Sequence, residues 1–249
     1  MDSGFYAALT GLVAKSDALD LAANNFANVG TTGYKAQEEF YHALQAAGGG
    51  PLSPLTQAAD NYGVLGGASL DLRPGSMQTT GNDLDVALQG SGFLVAKTAA
   101  GYRYTRNGSL HLDAHSELLT AEGDPVMGIV PGKKDPGPIH VPPGKITIGP
   151  DGTISVDGAV SGQLQIVDFP HGTLLKFEGN SYMDAPSKEA TPAKDPQLRQ
   201  GSVESSNVNP MLSMVNLVTL QRETEMMQHA LSTFDRSFNQ PAINTLATA

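Results

Sequence analysis

The chain of 249 residues contains no cysteine. That excludes disulfides, thiolate metal sites and a cysteine nucleophile together. No apolar run approaches about 18 residues, so no membrane-spanning helix and no membrane insertion are expected. The N-terminus lacks a basic stretch ahead of a continuous apolar run, so a cleavable signal peptide is not expected either. If such a protein leaves the cytoplasm, it does so by a route that does not read that signal. Charge is sparse, at 16% of residues, and 15 Lys and Arg against 25 Asp and Glu leave a net charge of −10. Phosphate backbones need a basic face, so nucleic acid is not an expected partner.

Catalytic patterns are missing too. Gly90-Ser91-Gly92 resembles a piece of a phosphate loop, but no Gly-Lys-Ser/Thr follows, and a turn between two strands is the plainer reading. His111, Asp113 and His115 are metal-ligating types, yet no further His or Cys is placed to complete a set. No serine stands in a Gly-x-Ser-x-Gly elbow. Asp83 and Asp85 flank Leu84 at a strand start, an ordinary edge placement. Neither an enzyme nor a bound cofactor or metal is expected.

What the chain does have is a helix at each end. Phe5, Leu9, Leu12, Ser16, Leu19, Ala23 and Phe26 fall at alternating steps of four and three, a heptad seam. This predicts a helix over residues 4–28, capped by Ser3 and stopped at Gly30, with Gly33 reinforcing the stop. Asn24, Asn25 and Asn28 are poor helix formers in its last turns, reserved for a partner, for the following turn, or for a frayed end. At the other end, Asn209-Pro210 reads as an N-cap followed by proline at the first helical position. Leu217, Leu220, Thr224, Met227, Leu231, Phe234 and Phe238 then repeat the seam, with Thr224 its weak point, and Asn239 and Pro241 end the helix. Met211, Met214, Met226 and Met227 suit either core packing, the default, or an adaptable contact surface. Neither helix can bury its stripe alone. The two ends are expected to pack on each other, or on the ends of neighbouring copies.

The middle is different. With 28 Gly and 16 Pro, the chain favours turns and short strands. From Ser69 to about Phe177 roughly ten short strand-like runs are punctuated by Ala100-Gly101, Asn107-Gly108, Gly123-Asp124, Asp151-Gly152 and Asp157-Gly158. Residues 46–60 are Gly-, Pro- and Ala-rich without period and read as a flexible segment. The fold class is therefore α+β: long N- and C-terminal helices pairing as a coiled coil, with an inserted all-β domain. The expected divisions are 1–35 for the first helix and its turn, 36–68 for an extended linker, 69–187 for the β-domain, 188–208 for a second linker and 209–249 for the last helix.

Three separated motifs carry a family resemblance. In residues 21–35, Ala23, Asn24, Asn25, Ala27, Asn28, Thr31, Gly33, Tyr34 and Lys35 fit A-N-N-x-A-N-x-x-T-x-G-[YF]-K, a signature of bacterial flagellar rod and hook proteins. Residues 84–128 resemble the family's β-domain signature, through Leu84, Gly90, Gly92, Phe93, Tyr104, Thr105, Arg106, Gly108, Leu112 and Asp113, and through Leu118, Gly123, Pro125 and Gly128. Residues 201–226 resemble its C-terminal signature, through Ser206, Asn207, Val208, Met214, Val215, Gln221, Arg222 and Glu225, while Thr224 stands where the family usually has an aromatic residue. The length of the chain and its single β-domain resemble the proximal- and distal-rod types. Leu84-Asp85-Val86-Ala87-Leu88, with the compact stretch from Gly128 to Gly144, favours the proximal-rod type, with the distal-rod type next and a hook-type axial protein behind it. Outside the family, the alternative is a ligand-binding β-protein with paired terminal helices.

The resemblance implies a structural part of the basal-body rod, the drive shaft that transmits torque. It also implies self-assembly, a periplasm-spanning location, and export through the flagellar type III apparatus without a cleaved signal. Implied partners are copies of the same chain, other rod proteins, adjacent hook and rod segments, and the export apparatus. The assembly interface that it and the seams together imply comprises Phe5, Leu9, Leu12, Leu19, Asn24, Asn25, Phe26, Asn28, Gly33, Tyr34 and Lys35 near the N-terminus. Near the C-terminus it comprises Asn207, Val215, Leu217, Leu220, Gln221, Arg222, Met227, Leu231 and Phe234.

Overall fold

The computed structural model describes residues 2–42, 64–132, 135–170, 173, 175–179, 181–234 and 236. The loop at 46–60, together with Phe238, Asn239 and Pro241, lies outside the described residues. The fold class is α+β. The chain divides into two units. One comprises residues 1–27, 37–69 and 209–249, and the other comprises 28–36 and 70–208.

The first unit is built on helix α1 (Asp2–Ala27) and helix α2 (Pro210–Phe234). α1 already includes Ser3, the expected cap. α2 starts as its sequence dictates. The Asn209 side-chain oxygen accepts from the N–H groups of Met211 and Leu212, both at 3.1 Å, and its carbonyl accepts from Ser213 N at 2.9 Å. These bonds satisfy donors that the first turn of a helix otherwise leaves open. Strands Gln37–His42 and Val64–Leu70 pair as a two-stranded ribbon, so both ends of the segment expected to be a linker are ordered.

The second unit is nearly all β. A six-stranded antiparallel sheet runs in the order Lys176–Glu178, Tyr182–Asp184, Gly101–Thr105, Phe93–Thr98, Ile166–Asp168, Thr191–Pro192. A five-stranded sheet runs Gly137–Pro138, Met127–Ile129, Ala159–Leu164, Thr153–Val156, Ile146–Ile148. Two cores form, one around Leu88, Leu94, Leu118, Ile139 and Ile154, the other around Phe93, Val95, Tyr104, Met127 and Met183. Asp157-Gly158 closes its hairpin with φ of 49° and 86°, the two left-handed residues that a tight two-residue turn requires.

Two expectations fail here. Asn107-Gly108 makes no hairpin turn. Asn107 is buried, and a Cβ at Gly108 would stand 1.7 Å from the Val86 carbonyl oxygen, so the glycine marks a close backbone crossing rather than a turn. Residues 188–208 are not a plain linker. Gln197–Gln200 pairs with Val86–Gln89 and Ser202–Glu204 pairs with Met77–Thr79, burying Leu198 and Val203. Strands this short and polar carry too little alternation to be recognised alone.

Candidate assembly interface

Within the first unit the helices run antiparallel. Gly11 lies beside Met227, Lys15 Nζ donates to Glu223 Oε2 at 2.7 Å, and Ala18 and Ala22 cluster with Leu220. On α2 the expected stripe is the buried one: Leu220 and Thr224 are buried, and Leu217, Met227 and Leu231 are half-buried. Thr224 is accommodated because its hydroxyl donates to the Leu220 carbonyl at 2.8 Å, leaving no polar group unsatisfied.

On α1 the expected stripe is not the inner one. Gly11, Lys15, Ala18 and Ala22 face α2, with Leu12 and Leu19 half-buried at the side. Leu9 and Phe26 are each 41% exposed, and Ser16 and Ala23 are also exposed. The reason is steric. Small residues on α1 let its backbone approach the large side chains of α2, so the bulky stripe turns away. Of Phe5 and Phe234 only the backbone is described. The outward face of α2 carries Met211, Met214, Val215, Val218 and Met226, together with Gln221 and Arg222. Three of the four methionines expected in the core therefore lie on the surface, and only Met227 packs inward.

The asparagines near the end of α1 have distinct tasks. Asn25 donates from its amide to the Gln37 carbonyl at 2.8 Å and accepts from Gln37 N at 2.9 Å, bonding the start of the ribbon in both directions. Asn24 is exposed. Asn28, in the second unit, is buried and accepts from the Thr31 hydroxyl at 3.0 Å.

Among the described residues, the second unit holds a cluster of buried charged side chains (a clasp). Lys35 Nζ donates to Glu204 Oε1 at 2.6 Å and to the Arg73 carbonyl at 2.9 Å. Glu204 Oε1 also accepts from Gly75 N at 2.8 Å, and Arg106 donates to Glu204 Oε2 at 3.3 Å. All three charged side chains are buried, and the Arg106 guanidinium lies 5.2 Å over the Phe93 ring. Burial lowers the Lys35 ammonium below the usual lysine range, with the hydrogen bond and charge of Glu204 opposing the shift.

Around this clasp Gly33 has φ 71° and donates to the Glu204 carbonyl at 2.7 Å, Tyr34 stacks on Phe177 at 4.8 Å, and Asn207 accepts from Ala36 N at 2.7 Å and donates to the Asp71 carbonyl at 2.8 Å. Gly33, not Gly30, takes the left-handed conformation after α1. Asn28, Gly33, Tyr34 and Lys35 were expected at the assembly interface. In the single copy all four are buried inside their own unit, where they help hold its fold. Glu204 is the residue that sequence reasoning missed, because its partner is 169 positions away and no local pattern points to it.

Several of the candidate chemical residues make hydrogen bonds within their own unit. Asp113 accepts from the N–H groups of Glu117 and His115 at 2.7 and 2.8 Å, which holds its carboxyl below the usual range, the Glu117 bond foremost. Ser91 donates to Asp168 at 2.6 Å. Asp85 is not an edge residue. It is buried and accepts from Thr80 and Asn82 at 2.6 and 3.0 Å.

Three family models match the chain in order. "Flagella basal body rod protein" matches residues 5–35, "Flagellar hook protein FlgE/F/G D1 domain" matches 87–156 and "Flagellar basal body rod FlgEFG protein C-terminal" matches 199–245. The chain is 33% identical over 251 residues to the flagellar basal-body rod protein FlgF of Escherichia coli (strain K12), covering 94% of this chain and 95% of the relative. It is 31% identical over 231 residues to FlgF of Caulobacter vibrioides, covering 90% of each. It is also 31% identical over 254 residues to the flagellar basal-body rod protein FlgG of Buchnera aphidicola subsp. Acyrthosiphon pisum, covering 91% of this chain and 94% of the relative.

Proposed function

The chain belongs to the flagellar basal-body rod proteins, and from that premise we propose how its terminal helices serve the rod. It is a structural, non-enzymatic component of the basal-body rod that assembles with other rod and hook proteins, and the FlgF type is favoured over the FlgG type. On our reading α1 and α2 form an antiparallel coiled coil within each copy, and the coil supplies the contacts to neighbouring copies and adjoining rod segments. Many such contacts in series would pass torque along the shaft. The same reading has the chain leaving through the flagellar export apparatus without a cleaved signal, to stand in the part of the rod that crosses the periplasm.

One observation supports this reading above the others. Helix α2 is apolar on two faces and buries only one within the chain: Val215 is 64% exposed and Met211 is 76% exposed. A side-by-side row of such residues marks a contact surface more often than a solvated one. The test is Val215→Asp with Val218→Asp in a strain lacking the chromosomal copy. The purified variant should keep its helix content and its monomer mass, while isolated basal bodies should lack it. Incorporation at the level of the unsubstituted chain would overturn the role given to the helices.

A further inference from the structure

The outward faces of the two helices are complementary to each other. α1 exposes Ser16, Asp20, Ala23 and Ala27, with Val13 beside them at 53% exposure. α2 exposes Val215, Val218, Arg222 and Met226. Between Ser16 and Ala27 the first face is small along this line, with a carboxylate at its centre and the exposed Leu9 and Phe26 at its margins, and the other is large with a single guanidinium at its centre. This repeats the division inside the chain, where Gly11, Ala18 and Ala22 receive Leu217, Leu220 and Met227. Among the described residues, neither Asp20 nor Arg222 has an ion-pair partner in its own chain.

We propose that the outer face of α2 in one copy receives the outer face of α1 from a second copy of this chain, with Arg222 of the one opposite Asp20 of the other. The inference rests on the rod reading above and goes beyond it in naming which faces meet and in what register. The two helices again run antiparallel. Setting Asp20 against Arg222 places Ser16 opposite Met226, Ala23 near Val218 and Ala27 opposite Val215. In-chain pairing sets Lys15 against Glu223, so the second copy is displaced by about one helical turn, roughly 5–6 Å along the axis. Each copy uses α1 for one neighbour and α2 for the next. Such a head-to-tail contact does not end at a dimer, and it generates a ring or a helical tube.

The test uses charge reversal in the whole chain, expressed in a strain lacking the chromosomal copy, with the amount in isolated basal bodies as readout. Asp20→Arg and Arg222→Asp, each alone, should cut incorporation about tenfold or more, because like charges then meet across the contact. The double variant restores opposite charges and should return to within about twofold of the unsubstituted chain. Single reversals without effect, or a double variant no better than the singles, would overturn the pairing. Because the chain has no cysteine, Ser16→Cys with Met226→Cys gives a second measure. Oxidised basal bodies should yield a ladder of linked copies, and monomer alone would also overturn it. Absence of the unsubstituted chain from basal bodies is a different result, which would sink the rod reading itself.

Discussion

Lys35 and Glu204 are joined by a 2.6 Å ion pair with neither side chain exposed beyond 1%. Three charges leave water at this site, Lys35, Glu204 and Arg106, and Gly75 N, the Arg73 carbonyl and the Arg106 guanidinium complete the hydrogen bonds of the Lys35–Glu204 pair. Removing one partner of a buried pair costs about 3–5 kcal/mol where the other is left without a counter-charge, but Glu204 would still keep the Arg106 guanidinium at 3.3 Å. Lys35→Met should therefore lower unfolding stability in urea titrations of the purified chain by less than about 3–5 kcal/mol, the cost of a carboxylate left with no cation. Lys35→Met with Glu204→Gln should cost less than the sum of the two single changes.

Gly33 and Gly81 separate two reasons for glycine. Both have left-handed backbones, with φ of 71° and 75°. A Cβ at Gly33 would lie 2.3 Å from the backbone carbon of Arg106, whereas at Gly81 it would meet nothing within 4 Å. Gly81→Ala should cost about 1–2 kcal/mol, from the conformation alone. Gly33→Ala should cost more, because backbone must move as well. Thermal melts of the two variants under one buffer give the comparison, and equal losses would show that the clash relaxes freely.

The helix pair predicts an asymmetry between two faces of α1. Ala18 is fully buried against α2, so Ala18→Leu should overpack the seam and cost about 1–3 kcal/mol. Leu9 lies on the exposed side, and Leu9→Gln should change stability by less than about 0.5 kcal/mol. Helix content followed by circular dichroism during thermal unfolding distinguishes the two.

Acid should weaken the β-rich unit through Asp71. Its carboxyl is held below the usual 3.8, first by the side-chain hydrogen bonds from Arg73, at 2.6–2.8 Å. A depressed folded value means that the unfolded chain takes up the proton first. The contribution is present above the ordinary carboxylate range and is lost as pH falls through the lower folded value. Between about pH 5 and pH 3 the melting temperature of the unsubstituted chain should fall more steeply than that of Asp71→Asn. Parallel slopes would show that Asp71 is not a source of acid sensitivity.

Much of this was legible because periodicity and capping are local. The stripe Leu217, Leu220, Thr224, Met227, Leu231 was readable from spacing alone, and the cap at Asn209 from two adjacent residue types. The face of α1 was not. Spacing found its bulkiest stripe, but close approach selects the smallest, and Gly11, Ala18 and Ala22 matter only because of what α2 presents. The boundary at residue 187 failed for the same reason. Val203 and Leu198 sit in polar surroundings in the sequence and become core residues only when distant strands accept them. A fragment of residues 69–187 should accordingly melt below one of 69–208 in matched calorimetry. For Gly33, Tyr34 and Lys35 the motif gave no sign of the burial within their own unit that the fold imposes.

The clasp also imposes an order in time. Any process that delivers the chain N-terminus first, whether synthesis or passage through a narrow conduit, presents Lys35 long before Glu204. Until the later segment arrives, the lysine has no buried carboxylate to meet, and Val203 and Leu198 are absent from their sheets. The incomplete unit must keep this site wet and open. Closure waits for the last tenth or so of the β-rich unit, which makes the folded state a product of complete delivery rather than a hindrance to it.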